Sequence, residues 1–227
     1  MIFLKKDEAF PDTHHANEEG ILAVGGDLSL CRLKEAYSKG IFPWYNDDSL
    51  ILWWAPDPRF VLFSRDLKIS KSMKQVIRSG KFKVTFDQEF ETIIRNCKTS
   101  VREGQSGTWI TQDMEHAYIQ LHQNGIAHSV EVWENDELVG GLYGVALGRM
   151  FFGESMYTEV SNASKFGFIQ LVQKLEKKGF DMIDCQDYTA HLESLGACEI
   201  SRDRFEKLIS QKIKLEGRIG KWTNWLE

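Results

Sequence analysis

The chain has little that would tie it to an oxidising compartment, a membrane or a metal. Its 227 residues include only four cysteines and four prolines. Cys31, Cys97, Cys185 and Cys198 form no Cys-x-x-Cys pair, and Cys185, His191 and Cys198 lack the spacing of a zinc site, so they read as thiols rather than ligands. No apolar run approaches the ~20 residues of a membrane span. The opening Met-Ile-Phe-Leu gives way to Lys5-Lys6, far short of a secretory leader, and the expectation is a soluble cytoplasmic protein. Phosphate-cradling Gly-x-x-x-x-Gly-Lys-Ser/Thr and dinucleotide Gly-x-Gly-x-x-Gly loops are also missing. Gly140-Gly141-Leu142-Tyr143-Gly144 falls mid-strand, where glycine marks a bulge or a close backbone approach. Nucleotide hydrolysis and hydride chemistry are therefore disfavoured. No Ser or Cys sits in a nucleophile elbow, and neither His128 nor His191 has the local signature of a base, so acyl transfer here would draw its attacking group from the substrate.

What is present is an ordinary globular composition, 42% apolar and 27% charged, enough for one compact domain or two small ones. The net charge of -5 hides an asymmetry. Residues 60–102 hold 10 Lys+Arg against 4 acids, whereas residues 103–160 hold Arg149 alone against 9 acids. A basic stretch beside an acidic one suits an anionic polymer on one side and a cationic substrate on the other; charge merely solvated on helix faces accounts for it equally well.

Punctuation divides the chain near residue 100. Upstream, Gly25-Gly26-Asp27, Gly40, Phe42-Pro43-Trp44 and Ala55-Pro56-Asp57-Pro58 separate short elements. Ser29 caps a helix to Lys39 carrying Leu30, Leu33, Ala36 and Tyr37 at helical spacing, and Ile69–Ser79 is a second, basic helix. Lys81–Phe86 alternates as a strand, for which Arg59–Phe63 is the expected partner. Downstream, Thr111–Asn124 is a helix with Met114, Ala117, Tyr118 and Leu121 on one face, followed by strands over His128–Trp133, Glu137–Leu147 and Met150–Tyr157. Asn162 is the expected cap of a helix to Lys178; Phe180–Gln186 is a strand, His191–Leu195 a helical turn and Ser201–Lys212 a last helix. The expected class is α+β, a small N-terminal α/β domain over 1–100 and a second domain over 101–227 with a central, mostly antiparallel sheet flanked by helices.

Aromatic residues and strand-borne acids carry the functional signal. Seven Trp is high, and Trp44 and Trp109 sit in loop-like segments where a flat ring beside basic residues can stack a nucleobase, although core packing explains any single Trp as readily. Asp184 and Gln186, two apart on a strand, share a face that Ile183 does not. Glu154 stands similarly in Phe151-Phe152-Gly153-Glu154-Ser155-Met156. Carboxylates among such neighbours are costly unless paired or functional, and adjacent strands would bring Glu154 and Asp184 to one pocket; a structural salt bridge is the competing account.

Gly25-Gly26-Asp27-Leu28-Ser29, Gly40-Ile41-Phe42-Pro43-Trp44, Leu52-Trp53-Trp54-Ala55-Pro56-Asp57-Pro58-Arg59, Gly107-Thr108-Trp109-Ile110, Leu138-Val139-Gly140-Gly141-Leu142-Tyr143-Gly144, Phe152-Gly153-Glu154-Ser155-Met156 and Ile183-Asp184-Cys185-Gln186 occur in order. Taken together they resemble the bacterial leucyl/phenylalanyl-tRNA–protein transferases along nearly the whole chain. The resemblance implies a second domain of the GCN5-related acetyltransferase (GNAT) fold. It also implies transfer of leucine or phenylalanine, with methionine as a further donor, from aminoacyl-tRNA to the α-amine of proteins beginning with Arg or Lys, which marks them for N-end rule degradation. Trp44 and Trp109 would sandwich the terminal adenine of the tRNA. Leu142, Phe151, Met156, Phe168, Leu171 and Ile183 would form the pocket for the transferred side chain. Lys68, Lys71, Lys74, Arg78, Lys81 and Lys83 would meet tRNA phosphates, and Glu154 and Asp184 the acceptor's cationic groups. Asp184, oriented by Gln186, would position the amine and accept its proton. No metal, CoA or nucleotide cofactor is implied, and a monomer is expected. Two rivals stand beside this reading. An acetyl-CoA-dependent N-acetyltransferase would need a glycine-rich loop where this chain has Thr158-Glu159-Val160-Ser161-Asn162. A non-catalytic tRNA- or peptide-binding module would have little need of Glu154, Asp184 and Gln186 together.

Overall fold

The computed structural model describes residues 2–100 and 109–225, so Arg102 of the basic stretch and Gly107-Thr108 lie outside the described residues. In chain order, β1 (Ile2–Leu4), β2 (Ile21–Gly25), α1 (Leu30–Ser38), β3 (Phe42–Pro43) and β4 (Leu52–Trp54) come first. β5 (Arg59–Phe63), α2 (Lys71–Ser79), β6 (Lys83–Phe86), α3 (Phe90–Thr99) and α4 (Gln112–Gln123) follow. The remainder is β7 (Ala127–Glu134), β8 (Glu137–Leu147), β9 (Met150–Thr158), α5 (Ala163–Lys177), β10 (Met182–Gln186), α6 (Ala190–Ser194), β11 (Cys198–Ile200) and α7 (Arg202–Lys212).

Side-chain caps explain most of the helix starts. Ser29, Ser70, Thr111 and Ser201 each accept a bond from the backbone N–H three residues on, and Gly80 closes α2 in the left-handed region. Asn162 does not cap α5 as its type suggests: it sits at φ 71° without a side-chain bond to the helix. α3 carries Phe90, Ile93, Ile94 and Cys97 on its buried face, at helical spacing that the sequence analysis passed over.

The strands form two sheets, one in the order β1-β2-β4-β3 and a seven-stranded one in the order β11-β5-β10-β9-β8-β7-β6. The larger sheet corrects two expectations. β6 pairs antiparallel with β7 rather than with β5, and β5 lies between β10 and β11. Since β5 and β6 belong to the same sheet as β7–β10, the sheets divide the chain between β4 and β5 and not near residue 100. Long-range pairing overrode local punctuation, because edge positions were open for strands from earlier in the chain. The fold is otherwise the α+β one expected, with a mostly antiparallel sheet between helices. α1, α3 and α4 cover one face over a core that includes Tyr37, Tyr118 and Phe152; α2, α5 and the C-terminal segment cover the other, over Leu142, Phe151, Ile183 and Trp222. Among the described residues no helix is long and apolar enough to cross a membrane.

The feature that makes a site is the one parallel pair of this sheet among the described residues. β9 and β10 are in register from Met150↔Met182 to Phe152↔Asp184, and there their pairing ends while β9 runs on to Thr158 against β8. Bulges mark the fork on both strands. Tyr143 pairs with Ser155 and Gly144 with Gly153, leaving Glu154 as the extra residue on β9. Asp184 pairs with Val61 and Gln186 with Phe60, leaving Cys185 extra on β10. Gly144 is required opposite the first bulge, since a Cβ there would lie 2.2 Å from the Phe152 carbonyl oxygen.

Candidate active site

Two cavities meet at the fork. One, of about 380 Å³ on the α5 side, is walled by Leu142, Met156, Phe168 and Ile183. The other, of about 220 Å³ on the side of the first sheet, is walled by Phe42, Trp44, Trp54 and Trp109 with Gln186. Glu154, Cys185 and Thr189 line both. Four of the six expected pocket residues thus reach one apolar cavity. Phe151 and Leu171 do not: both are fully buried in the core, and Phe151 rests against Trp222 with ring centroids 5.9 Å apart. Each side chain points into packing that the fold needs, a destination that apolar character alone could not distinguish from a cavity wall.

Trp44 and Trp109 line the second cavity together. Trp44 is held rather than loose: its carbonyl accepts a bond from Trp54 Nε1 at 2.6 Å, and the two indoles lie 5.1 Å apart. Trp44 is nonetheless 37% exposed, so part of its surface is open to a ligand. Trp53, by contrast, is fully buried and donates to the Gly25 carbonyl.

The three polar candidates come together with divided roles. Glu154 Oε1 is hydrogen-bonded to Tyr37 Oη and to Gln186 Nε2, both at 2.8 Å, and Oε2 to Tyr118 Oη, also at 2.8 Å. Burial pushes its carboxyl up to about 7, against the pull of the bonds from Tyr37 and Tyr118 and with a further push from Asp184. Asp184 is wholly buried and engaged elsewhere. Arg59 grips it with Nε to Oδ1 at 2.8 Å and Nη2 to Oδ2 at 2.6 Å, and Gln186 N donates to Oδ1 at 3.0 Å. The Arg59 guanidinium is itself sandwiched between Phe42 and Phe205, 4.7 Å from each ring centre. The expectation that Asp184 holds a cationic substrate and takes the amine's proton is therefore corrected. Its charge is already matched by Arg59, and it orients Gln186 rather than being oriented by it. Burial and Asp184 push the Cys185 thiol well up, which removes it as a nucleophile. His191 lines the apolar cavity, its pKa lowered by burial first and by Lys165 second.

Arg59, Tyr37 and Tyr118 are the participants the sequence reading missed. Both tyrosines were counted as apolar helix-face residues, and the available signal was that a phenol at a core position must find a partner for its hydroxyl. Arg59 opens an otherwise apolar strand, Arg59-Phe60-Val61-Leu62-Phe63, where only a buried acid could balance it.

The six basic candidates are all exposed, and Lys71, Lys74 and Arg78 stand on α2. Lys68 N bonds the Leu195 carbonyl just past α6, whose residues line the apolar cavity. Lys81 is paired with Glu134 at the end of β7, and Lys83 with Asp136 of the turn that follows. Among the described residues no group of three or more His, Cys, Asp or Glu could hold a metal ion.

Comparison with known proteins gives a consistent set of relatives. The family model for leucyl/phenylalanyl-tRNA protein transferase matches residues 61–210, and the model for that family's N-terminal domain matches residues 26–57. Leucyl/phenylalanyl-tRNA–protein transferases of Christiangramia forsetii, Flavobacterium johnsoniae and Nitrosospira multiformis are 58%, 54% and 54% identical. The matches cover 92%, 93% and 97% of this chain and 100%, 100% and 95% of theirs. A GCN5-related N-acetyltransferase from Kribbella flavida is a remote structural neighbour, with TM-score 0.39 and 10% identity over 74% of this chain and 60% of that one.

Proposed function

This chain belongs to the leucyl/phenylalanyl-tRNA–protein transferase family of aminoacyltransferases, and from that premise we propose that it moves leucine or phenylalanine, and methionine as a further donor, onto the α-amine of proteins beginning with Arg or Lys. The product carries an N-end rule degradation signal. The observation that carries this reading is the meeting of an apolar cavity and a tryptophan-walled one at a single carboxyl, Glu154. The first suits an unbranched-β side chain and excludes others by shape. The second suits the terminal adenine between Trp44 and Trp109, which sets the ester at the fork.

The acceptor amine, with a pKa near ~8, must arrive at the ester unprotonated. Gln186, fixed by Asp184 and Arg59, and Glu154 are the polar groups that meet it there. The acceptor's cationic side chain finds Glu19 and Asp187 on the wall of the second cavity. Lys68, Lys71, Lys74 and Arg78 meet the tRNA backbone, while Lys81 and Lys83 must first leave their acidic partners. The protein works as a cytoplasmic monomer without metal, CoA or nucleotide.

The test is transfer of labelled leucine from charged tRNA to two peptides differing only in an N-terminal Arg or Ala, with no added nucleotide or CoA. Label on the Arg peptide alone is expected. Tight tRNA binding with no label on either peptide would leave a binding module instead.

A further inference from the structure

Glu154 stands in a closed triangle of buried hydroxyl and carboxyl groups. Tyr37 Oη contacts Oε1, Tyr118 Oη contacts Oε2, and the two phenol oxygens contact each other. Each of these three contacts needs a proton between its oxygens. A phenol carries one proton and an ionised carboxylate none, so two tyrosines supply two. Both phenols keep theirs, because burial raises their pKa well above the ordinary value. The third proton has to sit on the carboxyl. Gln186 Nε2 cannot substitute for it, since that amide donates to Oε1 from outside the triangle.

We infer that Glu154 is protonated in the free enzyme and acts as the proton shuttle of the transfer reaction, with Tyr37 and Tyr118 as the positioning residues that hold its proton. The inference rests on the aminoacyl-transfer reading of this site. In the step, the acceptor's neutral amine nitrogen bonds to the ester carbonyl carbon and the bond from that carbon to the terminal ribose oxygen breaks. The departing oxygen takes the carboxyl proton, and the surplus proton on the new amide nitrogen passes to Glu154. The ring ends as it began, and no other reactant is consumed. The remaining ionisable groups around Glu154 fit this assignment. Asp184 on β10 disfavours a second negative charge, Arg59 on β5 is engaged by Asp184, and Cys185 keeps its proton. Tyr143 on β8 packs against Tyr118 with centroids 5.6 Å apart and adds to the same effect on the phenols.

The experiment reads the proton directly. Infrared difference spectra of wild type against Glu154→Gln, without substrates, should show a protonated-carboxyl stretch at about pH 6 that fades as pH rises through about 7. Tyr37→Phe and Tyr118→Phe each open the triangle and leave one contact, which the remaining phenol's own proton serves. Each should move that midpoint downward, whereas loss of a donor to an ionised carboxylate would move it upward and overturn the inference. Glu154→Gln should lower kcat for transfer about 100-fold or more while leaving the KM for aminoacyl-tRNA nearly unchanged. Absence of the stretch at about pH 6, or full kcat in Glu154→Gln, overturns the inference. A wild-type protein that transfers nothing sinks the transferase reading, while the spectrum still decides whether the ring holds its proton.

Discussion

Two acids on the same sheet, Glu154 at the fork and Asp87 at the end of β6, are held in opposite ways. Asp87 accepts from Ser129 N at 2.9 Å, Trp222 N at 2.7 Å and His128 Nδ1 at 2.9 Å. Burial opposes its charge, but the His128 bond and the two backbone bonds outweigh burial and lower its pKa. Over this acid the C-terminal segment inserts Trp222, fully buried and stacked on His128 at 3.8 Å. Backbone N–H groups can only donate, so they fix a negative charge in place. The phenols around Glu154 can donate or accept, so they tolerate a carboxyl in either state. The chemistry of the donors, more than depth of burial, separates an acid that closes the fold from one that can exchange a proton.

The contrast is broken most severely at its charged and aromatic anchors. Arg59→Met leaves Asp184 buried and unpaired and should cost about 3–5 kcal/mol in urea unfolding, with loss of transfer as Gln186 is released. Combining it with Asp184→Leu should recover most of the stability and none of the activity. Trp222→Ala should cost a similar amount, about 3–5 kcal/mol, yet the molecules that remain folded should keep wild-type kcat/KM. If Trp222→Ala abolishes transfer in folded protein, the two regions are not separable. Smaller effects are expected on substrates. Trp44→Ala and Trp109→Ala should each weaken the donor tRNA by about 1–3 kcal/mol, read as a rise in KM with the fold intact. Leu142→Ala, which enlarges the apolar cavity, should shift the phenylalanine-to-leucine ratio of kcat/KM about tenfold toward phenylalanine.

A separate effect is in pH dependence, where the two acids act in opposite directions. Burial lowers the His128 pKa below 6.5 against the pull of Asp87, so the folded protein prefers neutral imidazole. That contribution is present above about 6.5 and is lost as pH falls. Asp87, also lowered, loses its contribution at still lower pH, below 3.8. Glu154, raised from 4.5 to about 7, does the reverse: folding favours its protonated form, and stability declines as pH rises across that window. Replacing it by Gln removes the decline. The urea midpoint of Glu154→Gln relative to wild type should therefore climb between pH 4.5 and about 7, and a flat difference would contradict the pKa assigned to Glu154.

Much of this arrangement was legible before any coordinates. The capped helices α1, α2, α4 and α7 follow from Ser or Thr ahead of a periodic apolar face, and β7–β9 follow from short turns between apolar runs. Leu142, Met156, Phe168 and Ile183 were readable as one apolar wall through the family resemblance, and Trp44 with Trp109 as another. Phe151 and Leu171 were not separable from them, because burial in a core and exposure to a cavity look alike in sequence. The partner of Asp184 was hidden for a different reason. Arg59 lies 125 residues away, and only the insertion of β5 beside β10 brings them together. The bulges that turn Glu154 and Cys185 into the fork were equally invisible, since a one-residue surplus is a property of two strands in register and not of either alone.

Arg59 sits between Phe42 of the small sheet and Phe205 of α7 while gripping Asp184 of the large sheet. It is a rivet through three layers. A hinge between the sheets would have to pull a guanidinium from between two rings and strand a carboxylate in the interior, a cost that opposes such a motion. Trp44 stands two residues from Phe42, and Gln186 hangs from the carboxylate at the other end of the same rivet. The Trp44 ring on the wall of one cavity and Gln186 at the fork thus hang from one frame, and the spacing between them is set by the fold.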